Sequence, residues 1–542
     1  MKRFTQLMSL LFMAAVTQYS CINDADVAFS DESHTDSNGN LALFFEIPNE
    51  NHTRSAESSG VTETGSKDEY AVKSLTVYLF DSTTKSLKDQ QELKNIRQVK
   101  GEGENIQYTA DRITVNPGTY NIFAIANGKA ITKEITMQDD FLNAVDEVTY
   151  STGKIPNVPT EGFVMTNRGA ANLNIEISKP TDSDKITNVS IGLERAVAKI
   201  ELTQKQETFP LKDPNGEVYC TIKLNTFRML NLATKFYTFR HTATLNSFQE
   251  PASYTEENFG DIPDVNGYLI DPYFFKKTVE GAKDFTNADG FFAQALVDTD
   301  INDNNWAGMA PANSWSYIYC LENCMFVDAQ LNAYSTGVMF KANMDIATNR
   351  VFDENGTNIN NPSNWPTKMF YFNYNFYISV DAIRKQVLNN LPSDVTDDSD
   401  TETLAKYSIK RFQKTENYSC YYNYWIKHED NYESTEMGVM EFGIVRNNIY
   451  RLSVSKLADE LYLEYLKDKK LSFTFNKYLR KHYFFSSKYN HLDYCKIKTE
   501  NGCLSAIDEE PDEKQLTLRI DASEVSCDDT PKDIIKKILR RE

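Results

Sequence analysis

The sequence predicts an all-β chain of two antiparallel β-sandwich domains with irregular insertions, on three observations. Apolar residues recur at every second position in many short runs, the pattern of strands buried on one face. The chain holds 30 Tyr and 32 Phe, rings that pack well on a pleated surface. Turn residues punctuate the runs and helical periodicity is scarce, which favours sandwiches over α/β layering. With 542 residues the chain exceeds one ordinary core, so two domains plus tails are expected.

At the N-terminus, Lys2 and Arg3 precede "LMSLLFMAAV". That apolar stretch is too short to span a bilayer as a helix and marks an export signal. It ends at "TQYSC", where Ser20 before Cys21 suits a lipoprotein site whose cysteine thiol takes the lipid anchor. Ordinary secretion with cleavage nearby is the alternative. Residues 1–21 are therefore read as the signal and lipidation segment, and 22–54 as a propeptide.

After a polar tether comes "LALFFEI" (41–47), with Leu41, Leu43, Phe45 and Ile47 on one face. The polar stretch 48–69 then isolates this strand from the remainder of the chain and reads as an exposed loop. It carries Arg54 in "NHTRSAES", an accessible site for an Arg-specific protease. A cut there would detach the strand and leave an apolar groove with unpaired backbone edges. Burial of the four inward side chains contributes about 6–12 kcal/mol as an upper figure. A domain lacking that much accepts a strand from elsewhere, with main-chain hydrogen bonds giving affinity and alternate side chains giving register. The competing reading is an edge strand with a loop that is never cut.

Farther on, "AVKSLTVYLFD" (71–81) alternates with Leu75, Val77 and Leu79 on one face. "PGTYNIFAIANGK" (117–129) is apolar on both parities, so that strand should be covered on both sides. The polar run "KPTDSDK" (179–185) reads as a linker, dividing a sandwich at 55–185 from a second at 186–457. In "MEFGIVRNNIYRLSV" (440–454), Met440, Phe442 and Ile444 share one parity, and Tyr450, Leu452 and Val454 another. Arg446, Asn447 and Asn448 between them are read as a structural turn rather than a binding site, since Asn tolerates the left-handed conformation of tight turns.

The residues offer no chemistry. There are 57 Lys and Arg against 77 Asp and Glu, a formal charge of −20. An acidic surface argues against nucleic acid and against docking on anionic lipid. Six His are scattered without metal-ligand spacing, and no nucleophile elbow or phosphate loop occurs. "DTDINDNNW" (298–306) mimics a calcium loop at Asp298, Asp300 and Asn302. It has Asp303 where the glycine belongs and Met309 in place of the bidentate glutamate. The cysteines beyond Cys21 lack CxxC spacing, and Cys320 and Cys324 are read as packing residues. No catalytic residue, metal site or cofactor is expected, and the chain is read as a non-enzyme.

The 421–457 segment resembles the C-terminal signature of the fimbrillin family, the subunits of type V fimbriae in Bacteroidales, in its minor-fimbrium branch. "SLTVYLFD" (74–81), "PGTYNIFAIAN" (117–127), "ERAVAKIEL" (194–202) and "YCLENCM" (319–325) fit the same family in order. The resemblance implies a lipoprotein precursor with two transthyretin-like sandwiches, a structural fimbrial subunit serving cell adhesion. It implies that an Arg-specific protease cuts at Arg54-Ser55, releasing 41–47, and that a neighbouring subunit's strand fills the groove. Implied partners are other fimbrial subunits, as a homopolymer or with accessory subunits, and the outer membrane through the lipid before maturation. The expected location is the cell outer membrane and then the extracellular fimbrium. Residues 458–542 form a divergent tail: 461–498 depart from the family pattern, as an insertion or as out-of-frame coding. Within it "KQLTLRI" is the candidate donor strand (514–522), with Leu516, Leu518 and Ile520 on one face. An accessory, tip or anchor subunit, and a surface glycan-binding lipoprotein using exposed aromatics, are the alternative functions.

Overall fold

A computed structural model of the chain describes residues 39–47, 65–100, 106–128, 135–150, 158–168, 172–179, 186–243, 268–277, 287–296, 304–414, 418–428 and 437–457, with the backbone of five further strands up to Asp521. Two β-sandwiches hold most of the described residues. The first contains β1 (Gly39–Ile47), β2 (Leu75–Asp81), β3 (Leu87–Glu92), β4 (Arg97–Lys100), β5 (Ile106–Thr109), β6 (Ile113–Val115) and β7 (Gly118–Ala126). Met165–Asn167, Ile175–Ile177 and Ile186–Arg195 complete it.

The long strand Ile186–Arg195 joins the two leaves. It pairs with β1 along 186–192 and then with Met165–Asn167 along 193–195. One leaf holds β1, β4, β5 and β6, and the other β2, β3 and β7. Leu41, Phe45 and Ile106 from the first leaf share one core with Val77, Ile122 and Leu193 from the second. As its sequence requires, β7 is covered on both faces. Ile122 and Ala124 face that core, while Phe123 and Ile125 pack with Phe141 and Phe239 on the far side.

In the second sandwich, Val197–Gln204 lies between Ser316–Leu321 and Ile449–Val454. The facing leaf runs Phe209–Lys212, Val218–Leu230, Gly337–Ile346, Cys420–Trp425. Ile200, Leu202 and Leu452 of one leaf meet Ile222, Phe340 and Tyr422 of the other in a single core. Cys220, Cys320, Cys324 and Cys420 are free, buried thiols. Not every pairing is antiparallel: β1 runs parallel to Ile186–Arg195, and Ile449–Val454 parallel to Val197–Gln204. Parallel pairs need long crossovers, so no local turn signal announces them.

The division between sandwiches lies later than 185/186. Ile186–Arg195 puts Val189, Ile191 and Leu193 into the first core, and the chain passes to the second at buried Ala196. The polar run 179–185 separates two strands of the same sandwich. The actual crossing falls where the apolar parity shifts, from Val189, Ile191 and Leu193 to Ala196, Ala198 and Ile200, and no turn residue marks it.

An arm of the second sandwich lies across the first. Lys235–Tyr237 pairs with Val145–Glu147, Phe239 enters the aromatic cluster behind β7, and Thr238 N donates to the Ala144 carbonyl at 2.8 Å. Arg446 fastens this arm. Its guanidinium is fully buried, grips Glu322 through two nitrogens (Nη2 to Oε1 at 2.6 Å) and donates to the Tyr237 carbonyl at 2.7 Å. Burial opposes Arg446's charge, and the facing carboxylate restores it.

The Arg446–Asn448 turn is thus more than a corner. Asn447 does adopt the left-handed conformation, φ 58°, but the Arg446 side chain is a buried tie between distant segments. The strand expected at 440–444 is absent. Met440 has φ 56° and the segment is a chain of turns, although Met440, Phe442 and Ile444 are all buried. They enter three different clusters, and Glu441 between them is buried too, paired with Lys427 at 3.1 Å. Alternation in polarity here is not alternation in exposure.

This packing predicts three outcomes. Phe45→Ala should cost about 3–5 kcal/mol in denaturant unfolding, and Phe44→Ala, half-buried on the other face of β1, clearly less. Arg446→Met strands Glu322 in the interior and should cost about 3–5 kcal/mol, most of it recovered when Glu322→Gln is added. His241, stacked on Tyr237 at 3.9 Å, is held neutral by burial with its pKa down at about 4. The unfolded chain then binds the extra proton first, so about 3 kcal/mol should be lost as pH falls from 6.5 to 4. His241→Gln should flatten that slope.

Candidate functional site

The site that the fold builds is the slot occupied by β1. Its inward side chains Leu41, Leu43, Phe45 and Ile47 are each 3 % exposed or less and belong to the first core. One edge pairs with Ile186–Arg195, from Asn40 opposite Ile186 to Glu46 opposite Gly192. The other pairs with β6 at Gly39–Leu41 and β5 at Phe44–Ile47. β1 is therefore an interior strand, not an edge strand. Alternating apolar and half-exposed residues let it bury one face, but two neighbours on either side come from the tertiary structure.

Side chains reinforce that register. Thr109 Oγ1 donates to the Leu43 carbonyl at 3.0 Å, and Gln107 Nε2 donates to Glu46 Oε1 at 2.9 Å. Gly39 sits where a Cβ would stand 2.6 Å from Ile177 Cγ2 and 3.0 Å from the Ser178 carbonyl oxygen. Only a residue without a side chain passes that point undisturbed.

Past the 48–64 stretch, the chain is pinned at the seam of the two sandwiches. Gly65, at φ 83°, turns into the four-residue helix Lys67–Tyr70 with Ser66 and Glu69 as a capping box. Glu69 is buried, meets Lys199 Nζ at 2.9 Å and accepts a hydrogen bond from Tyr319. Burial works to raise its pKa, but the Tyr319 and Lys199 contacts outweigh it and hold the carboxyl below its ordinary value. Lys199 also pairs with Glu201 at 2.9 Å, and Glu201 with Arg451 at 2.6 Å. Arg195 donates to the Glu69 carbonyl at 2.8 Å and to Asn447 Oδ1 at 3.1 Å. Glu69, Arg195, Lys199 and Tyr319 line a small open cleft. Each already engages another protein group, so the arrangement fastens two domains and offers no poised acid, base or nucleophile. Among the described residues no cluster of His, Cys, Asp and Glu could hold a metal.

Sequence reading named the four inward residues of β1 and missed Glu69, Lys199, Arg195 and Tyr319. A signal existed: Lys199 and Glu201 interrupt the alternating strand Val197–Gln204, Glu194 stands next to last in another and Glu322 follows a third, as charges do when they are paired inside. Cys21, Arg54, Ser55 and Leu516 lie outside the described residues, as do Asp298, Asp300 and Asn302. Leu518 and Ile520 fall in the strand Thr517–Asp521, which pairs antiparallel with Cys503–Ile507.

The family model "Major fimbrial subunit protein (FimA)" matches residues 37–195, from just before β1 to the end of the first sandwich. "Major fimbrial subunit protein type IV, Fimbrillin, C-terminal" matches 413–460, spanning Cys420–Trp425 and Ile449–Val454. No curated protein matches the sequence. Similar solved structures include the tip fimbrial protein Mfa3 from Porphyromonas gingivalis, at 12% identity and TM-score 0.32, covering 79% of this chain and 98% of that one. A fimbrilin from Porphyromonas gingivalis W83 shows 12% identity and TM-score 0.34 over 77% and 91%. A fimbrial assembly protein from Parabacteroides distasonis shows 13% and 0.24 over 56% and 95%. Superpositions this loose carry no argument about the site, which rests on the geometry of slot and seam. Fimbrial-subunit models thus match the first sandwich and the last strands of the second, and over these segments the chain is similar to fimbrial subunits.

Proposed function

We propose that this protein is a structural subunit of an extracellular fimbrium, exported as a lipoprotein through Cys21 and polymerised by protease-triggered strand exchange for cell adhesion. The observation that carries the reading is the interior position of β1. A strand held on both edges and along its inward face is joined to the rest only through the polar stretch that carries Arg54. Cleavage at Arg54-Ser55 turns that strand into a separate peptide. Its departure leaves apolar pockets and two unpaired backbone edges, which another subunit's strand can complete.

The pinned helix at Lys67–Tyr70 supports the same reading. Lys199 and Arg195 hold the chain at Glu69, 15 residues beyond Arg54, so loss of 39–54 need not unravel the strands beyond that helix. On this reading 22–54 is a propeptide, and the segment bearing Leu516, Leu518 and Ile520 is the strand that the protein offers to a neighbour. The protease and the outer membrane, through the lipid, are partners before maturation. Shaft, tip and anchor are alternative places in the same fimbrium. The glycan reading is weaker: Trp425 is buried, which removes one of the four tryptophans as a sugar platform.

Fibres isolated from cells should contain this chain beginning at Ser55, by mass spectrometry of its N-terminal peptide. Polymer that retains Leu41 to Ile47 in covalent continuity with Ser55 refutes the proposal, and deletion of 514–525 without loss of assembly removes that segment as donor.

A further inference from the structure

The β1 slot discriminates at its mouth as well as along its floor. At Gly39 an added Cβ would press within 2.6 Å of Ile177 Cγ2 and 3.0 Å of the Ser178 carbonyl oxygen. Ile177 is buried in the core and β-branched, and Ser178 presents backbone, so neither yields readily. In phase with Gly39, the positions of Leu41, Leu43, Phe45 and Ile47 are closed to water, and Ala42 is buried on the opposite parity. The fitting occupant is thus a strand that opens with glycine, carries four apolar residues at alternate positions after it, and has a small residue between the first two.

We infer that the slot selects a glycine-led strand of this pattern and rejects the candidate donor 514–522 of a second copy. This rests on the strand-exchange reading and adds which partner the slot takes. Laid along β1 in the same direction, with Leu516, Leu518 and Ile520 in the places of Leu41, Leu43 and Phe45, the segment "KQLTLRIDA" puts Lys514 at the Gly39 position. It also leaves Ala522 in the Ile47 pocket. Shifting by two residues puts Leu516 at the mouth and Glu524 in the Ile47 pocket. Reversing the strand places Ala522 at the mouth but buries the Lys514 ammonium where Ile47 lies, among the apolar side chains of the first core.

Nothing else in 458–542 serves. Gly502 is the single glycine of that stretch, and the in-phase residues after it are Leu504, Ala506 and Asp508, which would set a carboxylate in the Phe45 pocket. The chain accordingly accepts a glycine-led strand from a partner subunit other than residues 458–542 of its own kind.

The test uses the full chain cut after Arg54 with an Arg-specific protease, the cut verified by mass spectrometry, and fluorescent peptides retained through gel filtration. The 39–47 peptide should exchange into the slot. Its Gly39→Lys version and the 514–522 peptide should be captured at least tenfold less. The 514–522 peptide carrying Lys514→Gly and Ala522→Ile should regain capture. Equal capture of 514–522 and 39–47, or no loss with Gly39→Lys, or no gain from the double substitution, overturns the selectivity. Failure of every peptide, 39–47 included, overturns strand exchange itself and the selectivity with it.

Discussion

The first sandwich depends on a strand that the rest of the domain surrounds but holds covalently only by a long polar connection. β1 supplies four core side chains and the pairing partner of Ile186–Arg195 on one side and of β5 and β6 on the other. Removing an edge strand exposes one row of backbone groups. Removing an interior one exposes two rows facing each other across an apolar trough, and each unpaired buried amide or carbonyl is costly. Such a trough has one low-energy remedy, a new strand. The same geometry that makes β1 necessary for stability makes its vacancy specific for an extended peptide.

The seam between sandwiches joins buried charge to apolar contacts such as Phe239 behind β7 and Phe236 beside Leu321. Arg446 and Glu322 are both fully buried, and the guanidinium spends its donors on the carboxylate and on the Tyr237 and Thr238 carbonyls. A buried pair of this kind adds little net stability, because desolvation offsets most of the attraction. Its directionality is another matter. A planar fork satisfied on every side fixes the arm at 235–241 in one place over β7. Glu194 grips Arg240 of that arm with Oε2 to Nη2 at 2.5 Å, which ties the end of the slot-bordering strand to the same arm. Slot and seam are therefore the two ends of one element: Ile186–Arg195 pairs with β1 at its start and presents Glu194 and Arg195 to the seam at its finish.

Strand faces were legible wherever one side of a strand meets a core and the other meets water. Leu41, Leu43, Phe45 and Ile47 declared themselves by parity, and the doubly apolar 118–126 strand declared its two-sided burial, because side-chain direction alternates with chain position regardless of what lies opposite. The same rule misled at 440–444. There Met440 turns left-handed and three apolar residues leave for three separate clusters, so polarity alternated without a strand beneath it. The domain boundary left only a shift of apolar parity, from Leu193 to Ala196 across Glu194 and Arg195, with no turn residue or polar linker to announce it.

By itself the sequence determined which residues of β1 turn inward and which stretch separates β1 from its domain, since polarity and spacing are local properties. The tertiary structure alone decided that β1 lies between two strands, parallel to one of them, that the sandwiches part at Ala196, and that Arg446 finds Glu322 across 124 residues of sequence. Hydrogen-bond partners and buried counter-charges are chosen by proximity in space, and a linear pattern records only that a group is polar, not what will satisfy it.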